Sequence, residues 1–225
     1  MSEGIRVLSK KGRSYYLPSK KELRQIFVDM GFLPPDAQEL ANTQFFAATP
    51  EGRLAAVYEL FSLGNNGYTL FYHIGSVLIE EEGGDFYADN KIQDKLPLTG
   101  LPPRYAKTSN TVVLTAGLEN LLATYAMTEK SFIWGVPHAG MAVRSSDVLS
   151  RLLKDAEIKK VVLAFPKSQQ AYQKKLARLL RQDGFEVEEL SYDGKSPFHH
   201  YQLSVNRMLQ EAAMEYDSLI PDNGV

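Results

Sequence analysis

With 225 residues, 44% of them hydrophobic, and a net charge of −2, the chain can bury one large core or a core domain with a smaller companion, and global disorder is excluded. The complete lack of cysteine removes disulfides, thiolate metal sites and cysteine nucleophiles together, and suits a reducing compartment. No apolar run approaches the ~18 residues that cross a bilayer, and Met1 to Lys11 is polar without a secretory hydrophobic region, so a soluble cytoplasmic protein is expected.

Residues 1–18 read as an irregular or short-strand arm. Ser19 followed by Glu22 has the spacing of a capping box, and Leu23, Ile26, Phe27 and Met30 then recur at helical spacing until Gly31. Pro34-Pro35-Asp36 opens a second helix with Ala37, Leu40 and Ala41 along one face. Thr49-Pro50-Glu51 predicts a third, with Leu54, Val57, Tyr58 and Phe61 as its stripe and Gly64-Asn65-Asn66-Gly67 as its end. From Tyr68 to Glu81 the period becomes two, with Leu70, Tyr72, Ile74 and Leu78 on one parity. Glu82-Gly83-Gly84-Asp85 is a turn signal, and Phe86-Tyr87-Ala88 a returning strand. Leu96 to Pro103 is rich in Pro and Gly and reads as a linker. It divides an α+β region of helices and a β-hairpin, residues 1–103, from an α/β domain, residues 104–225.

Beyond the linker the pattern is βαβαβαβ. Thr111 to Thr115 is a buried strand, and Leu118, Leu121, Leu122 and Tyr125 stripe the next helix. Phe132-Ile133-Trp134 is a short strand, and Asp147 is expected to cap a helix carrying Val148, Leu149, Leu152 and Leu153. Val161 to Phe165 is a second core strand. The helix from Ser168 to Gln182 places Tyr172, Leu176, Leu179 and Leu180 inward and Lys174, Lys175, Arg178 and Arg181 outward, before Gly184 and a last strand from Phe185 to Leu190. Strands alternating with helices imply a mostly parallel sheet flanked by helices.

The near-neutral total excludes a protein that coats nucleic acid over its whole surface. Charge is nonetheless uneven. Between Arg104 and Phe185 thirteen basic residues face six acidic ones, and the N-terminal arm is basic through Arg6, Lys10, Lys11, Arg13, Lys20, Lys21 and Arg24. These are solvated helix faces or a contact for a polyanion.

Three runs carry a family resemblance: Val112 to Ala123 (VVLTAGLENLLA), Ile158 to Leu180 (IKKVVLAFPKSQQAYQKKLARLL) and Gly184 to Ser196 (GFEVEELSYDGKS). Over about 100 residues the order of elements and the strand-end context resemble the Toprim domain, in the version carried by primases and by phage and plasmid replication or mobilisation proteins. The resemblance implies an α/β fold with a Toprim-like sheet, and a Glu-Gly, an Asp-x-Asp and a Gly-Lys-Asp that serve Mg²⁺ chemistry. Here those carboxylates are replaced. Ala116 stands at the Glu, with Gly117 retained; Asn120 stands at the following Asp; Pro166 and Ser168 stand at the Asp pair; Gly194-Lys195-Ser196 ends in Ser. Mg²⁺ is a hard cation that needs carboxylate oxygens to compete with its water shell, and Ala and Pro supply none. The residues therefore argue against metal-dependent catalysis at that site, and no metal and no cofactor are expected. Glu119 and Asp193 lie nearby in sequence but at no matching position. By a weaker resemblance, residues 19–95 are expected to be a reduced form of the α/β segment that precedes Toprim in primases.

Other chemistry is weaker. His138, in Pro137-His138-Ala139-Gly140, lies in a loop after a strand, where open α/β sheets bind ligands, but lacks an evident nucleophile or acid partner. His199-His200 are adjacent on a helix and diverge by ~100°, poor metal geometry, so capping or surface roles are expected. Tyr105-Ala106-Lys107 and Tyr172-Gln173-Lys174-Lys175 interleave aromatics with lysine as base-stacking surfaces do, although the inward stripe assigns Tyr172 to the core. Three functions follow. The first is a non-catalytic Toprim-like protein of a replication or mobile-element system that binds single-stranded nucleic acid or a replication or mobilisation partner, with Lys167, Lys174, Lys175, Arg178 and Arg181 as the nucleic-acid face. The second is an inactive scaffold for protein–protein assembly. The third is an enzyme whose site has moved to His138.

Overall fold

Ser19 starts the first helix as its spacing requires. Its hydroxyl accepts from the Glu22 N–H at 3.3 Å, while the Glu22 carboxylate accepts from the Ser19 N–H at 2.7 Å. Such a cap contributes about 1 kcal/mol. The helix, α1 (Lys20–Asp29), ends where Gly31 turns left-handed at φ +96°, which lets the Phe32 N–H return to the Phe27 carbonyl at 3.0 Å. Leu23 and Phe27 are buried by it. The structure is a computed structural model and describes residues 5–8, 15–43, 46–49, 54–63, 71–82, 85–86, 95–104 and 108–219. The turn expected at Gly64 to Gly67, the one at Gly83-Gly84, the returning strand beyond Phe86, and Tyr105 to Lys107 lie outside the described residues.

The remaining elements in chain order begin with β1 (Ile5–Leu8), α2 (Pro34–Leu40), β2 (Phe46–Ala48), β3 (Leu54–Leu63), β4 (Phe71–Glu82), β5 (Asp85–Phe86) and β6 (Leu96–Leu101). They continue with β7 (Thr111–Ala116), α3 (Leu118–Met127), β8 (Phe132–Val136), α4 (Ala139–Arg144), α5 (Ser146–Asp155), β9 (Lys160–Ala164), α6 (Gln170–Gln182), β10 (Glu186–Glu189) and α7 (Pro197–Leu219). The strands form one mixed sheet in the order β1-β4-β3-β6-β8-β7-β9-β10, with β2 on β3 and β5 on β4. Its C-terminal part, β8-β7-β9-β10, is parallel, as the alternation of strands and helices requires. In its N-terminal part β3 pairs antiparallel with β2, β4 and β6.

Two expectations fail here. The third helix is the strand β3. Leu54, Val57, Tyr58 and Phe61 have helical spacing, but Ala55 and Ala56 between them are equally buried. β3 runs between β4 and β6, and at its start both faces are buried through Leu54, Ala55 and Ala56, so the run is apolar enough that a helical period can be read through it. The Leu96–Pro103 linker is likewise β6. Leu96, Pro97 and Leu98 pair with β3, whereas Thr99, Gly100 and Leu101 pair with β8. Each half of β6 thus has its own partner strand, and Leu96, Leu98 and Leu101 are buried by it.

Side-chain alternation splits the core into two layers. Val113 and Val162 face one side, against Leu23, Phe27, Leu121, Leu122 and Tyr201 from α1, α3 and α7. Val112, Leu114, Val161 and Leu163 face the other, against Leu149, Leu153, Leu176 and Leu180 from α5 and α6. Ser145, not Asp147, occupies the N-cap of α5; Asp147 sits in the first turn and accepts from the Val148 N–H at 2.9 Å.

Candidate functional site

The carboxyl ends of β7 and β9 are where an open α/β sheet offers a site. β7 ends in the fully buried Ala116, and Gly117 at φ +92° turns the chain into α3. Asn120 lies one turn on. Its amide donates to the Ala116 carbonyl at 2.8 Å and its oxygen accepts from the Phe198 N–H at 3.2 Å, so it joins the end of β7 to the start of α7. Beyond β9, Phe165 is buried, and Pro166 leads into a single 3₁₀ turn, Lys167–Gln169. The Lys167 N–H donates to the Lys195 carbonyl at 2.9 Å. Ser168 is exposed, and the Ser196 hydroxyl accepts from the His199 N–H at 3.2 Å. The loop before α7 thus meets the chain beyond β9, and the first turn of α7 meets Asn120 beyond β7. Glu119 is exposed in the first turn of α3, and the Asp193 carboxylate lies 3.9 Å from Arg207. Among the described residues no three of His, Asp and Glu converge as metal ligands.

His138 caps α4. Its Nδ1 accepts from the Gly140 N–H at 3.0 Å, and its ring meets that of Tyr172 edge-on at 5.3 Å. Burial, and then the charge of Arg144, hold the imidazole below its ordinary range, so it is neutral with its proton on Nε2. Among the described residues, that cap is the imidazole's only hydrogen bond. His199 Nδ1 accepts from the Lys195 N–H at 3.1 Å, and the His200 ring lies 6.4 Å from that of Tyr192.

On α6 the inward residues are Gln173, Leu176, Ala177 and Leu180. This corrects the inward placement of Tyr172, which is 43% exposed; the stripe is set by Gln173, one position on. Lys167, Lys174, Lys175 and Arg178 are exposed, with no ion pair among the described residues. Arg181 differs. Its guanidinium donates to the Val187 carbonyl at 3.0 Å and lies 3.4 Å from the Glu189 carboxylate. The positive excess of the 104–185 stretch is reduced in the same way elsewhere. Glu39 lies 2.5 Å from Arg104, and Glu188 lies 2.8 Å from Lys160, both from outside that stretch.

Two residues that the sequence pattern did not single out stand behind this face. Gln173 Oε1 accepts from the Phe165 N–H at 3.0 Å. The Tyr192 hydroxyl donates to the Phe165 carbonyl, and burial pushes its pKa up to about 12. Polar residues on an apolar helix stripe were the available signal for Gln173; nothing local marked Tyr192.

No protein-family model matches the sequence, and no curated protein matches it. Solved structures do. The primase fragment of the bacteriophage T7 primase-helicase protein matches over 94% of this chain and 79% of that one, with a TM-score of 0.52 and 11% identity. The chain has a primase-like fold. A structure of the bacteriophage T7 lagging-strand DNA polymerase interacting with primase domains, bound to an RNA/DNA hybrid and dTTP, matches over 92% of this chain and 96% of that one. Its TM-score is 0.43 and its identity 11%, too loose a likeness to carry an argument. In the primase-like fold seen here, β7 and β9 lie side by side at the centre of the parallel strands, and α6 covers one face beside them.

Proposed function

We propose that the chain is a primase-like protein of a replication or mobile-element system that binds single-stranded nucleic acid along α6 and lacks Toprim metal chemistry. The observation that carries this reading is the row Lys167, Lys174, Lys175 and Arg178, exposed and without ion-pair partners among the described residues, next to the half-exposed ring of Tyr172. Cations that track phosphates, with an aromatic on which a base stacks, are the parts of a sequence-tolerant single-strand site. At the strand ends Ala116 and Pro166 supply no oxygen ligand from their side chains, and Asn120 is engaged in holding α7. Arg181 sits at the margin of the face because Glu189 partly meets its charge.

Fluorescence anisotropy of a labelled single strand across a KCl series tests the reading. Binding that weakens steeply with salt supports it; no binding at low salt overturns it. A second reading, assembly with a protein partner, is favoured by α7, where Met208, Leu209 and Met214 are 46%, 54% and 72% exposed. A stable oligomer in light scattering that dissociates in Leu209→Glu would mark that role.

A further inference from the structure

The later turns of α7 leave the body of the protein. Phe198, Tyr201 and Val205 pack into the cluster around Phe27 and Leu40, whereas every residue from Asn206 to Met214 is exposed. The apolar line does not stop where the cover does. Val205, Met208, Leu209 and Ala212 keep the i, i+3, i+4, i+7 spacing, so a stripe that the body covers at its start runs on bare. Short helices draw most of their stability in water from packing of such a face, so the extension calls for a cover. Its charge is one-sided. Glu211 borders the stripe, and between Gln210 and Leu219 the acids Glu211, Glu215 and Asp217 stand without a single cation. Arg207 points roughly opposite to Leu209 around the helix and lies 3.9 Å from Asp193.

The same chain carries a surface that matches. A groove of about 360 Å³ lies between the segment before α1, the start of α1, the end of α2 and β2. Leu17, Pro18, Leu23, Ala41 and Phe46 line it, and Leu17 is 68% exposed. A cavity of ~150 Å³ holds benzene, so this volume admits about two large apolar side chains. Lys20 also lines the groove, and Arg24 follows one turn on along the same side of α1. Both cations are exposed and have no ion pair among the described residues. Glu22, the acid between them, is held by the Ser19 N–H and hydroxyl. A second α7 laid on the bare stripe would offer Glu211 no cation, because Arg207 is on the far side. The groove offers both an apolar floor and the missing positive charge, as helix-binding grooves do.

We propose that the end of α7 of one copy docks in this groove of a second copy, with Met208 and Leu209 on the floor and Glu211 facing Lys20 and Arg24; this rests on reading α7 as an assembly element, and names its partner. The contact is heterologous. Each terminal copy keeps a free helix or a free groove, so growth runs on into an open chain or closes as a ring. The full chain is followed by size exclusion with light scattering over a concentration series. The parent protein is expected to show a mass that climbs past the dimer. Leu209→Glu and, separately, Lys20→Glu with Arg24→Glu should each remain monomeric. All three positions are exposed, and a carboxylate in the first turn of α1 suits the helix dipole, so the variants keep the fold. Mixed in equal amounts, the two variants should form a dimer and nothing larger, because one keeps its groove and the other its helix. A groove variant that assembles like the parent, while Leu209→Glu does not, overturns the groove and leaves α7 as an assembly element. A mixture that stays monomeric, although the parent assembles, has the same meaning. A parent protein that is monomeric at every concentration overturns both.

Discussion

Tyr201 links the beginning of the chain to its end through one hydroxyl. It donates to the Asp36 carboxylate at 2.7 Å and accepts from the Leu33 N–H at 3.0 Å, and its ring lies 5.0 Å from that of Phe32. Tyr201→Phe keeps the ring and removes both bonds, leaving the half-buried Leu33 N–H without its acceptor while Asp36 keeps Arg104 at 3.6 Å, which costs about 1 kcal/mol. The expected result is a lower urea midpoint with an unchanged slope. His138 gives a pH signature. Its folded pKa lies below the ordinary 6.5, so in acid the unfolded chain binds the proton first, and stability falls as pH drops below 6.5 through the folded value. His138→Asn keeps an N-cap acceptor and should remove this part of the acid sensitivity in thermal melts at pH 5 and pH 7. At this scale the sequence was readable where chemistry is local. Ser19 and Glu22 need only their spacing, whereas the cap that His138 forms on α4 was not expected from a residue read as part of a ligand-binding loop. Gln173 showed only as a polar residue on an apolar stripe and Tyr192 showed nothing, because both serve Phe165, which approaches them only once β9, α6 and the chain after β10 are assembled.

For the elements, α6 is the test case. Reversing Lys174, Lys175 and Arg178 together removes three candidate phosphate contacts. At ~0.7 per contact on a single strand, the slope of log affinity against log salt should fall by about 2 units. Arg181→Ala should change that slope less than Arg178→Ala, because Arg181 already donates to Val187 and faces Glu189. Equal effects of the two would mean that Arg181 leaves those partners on binding. The sequence placed the charged residues of α6 outward and Leu176 and Leu180 inward, but took Tyr172 for core where Gln173 is buried, since Tyr172 is apolar enough to pass for core. β3 was misread for the opposite reason. Its apolar residues are so dense that a helical stripe can be drawn through a strand, and only the pairing with β4 and β6 decides. The core strands β7 and β9 were legible because their short apolar runs are too brief for helices.

Over the whole molecule, the two halves divided on sequence at Pro103 share a sheet and a core layer. Phe27, Phe46 and Tyr58 pack in the same cluster as Val113, Leu121 and Tyr201, and β6 gives three residues to each side. The Pro-Gly composition of β6 concealed this, because the rule that such residues break structure is local, whereas the burial of Leu96, Leu98 and Leu101 depends on partners far away in sequence. Sharing of this kind couples the halves energetically. Leu101 is 1% exposed and belongs to the shared cluster, so Leu101→Ala should cost about 2–5 kcal/mol through lost burial and the cavity it leaves. The readout is two probes in one urea titration: far-UV circular dichroism for the whole chain, and fluorescence of Trp134, the single tryptophan, on β8. If β6 is a joint, both midpoints coincide in the parent protein and move together in Leu101→Ala. A circular-dichroism transition that separates from the Trp134 signal, with only one of them shifted by the substitution, would show that the halves unfold independently despite the strand between them.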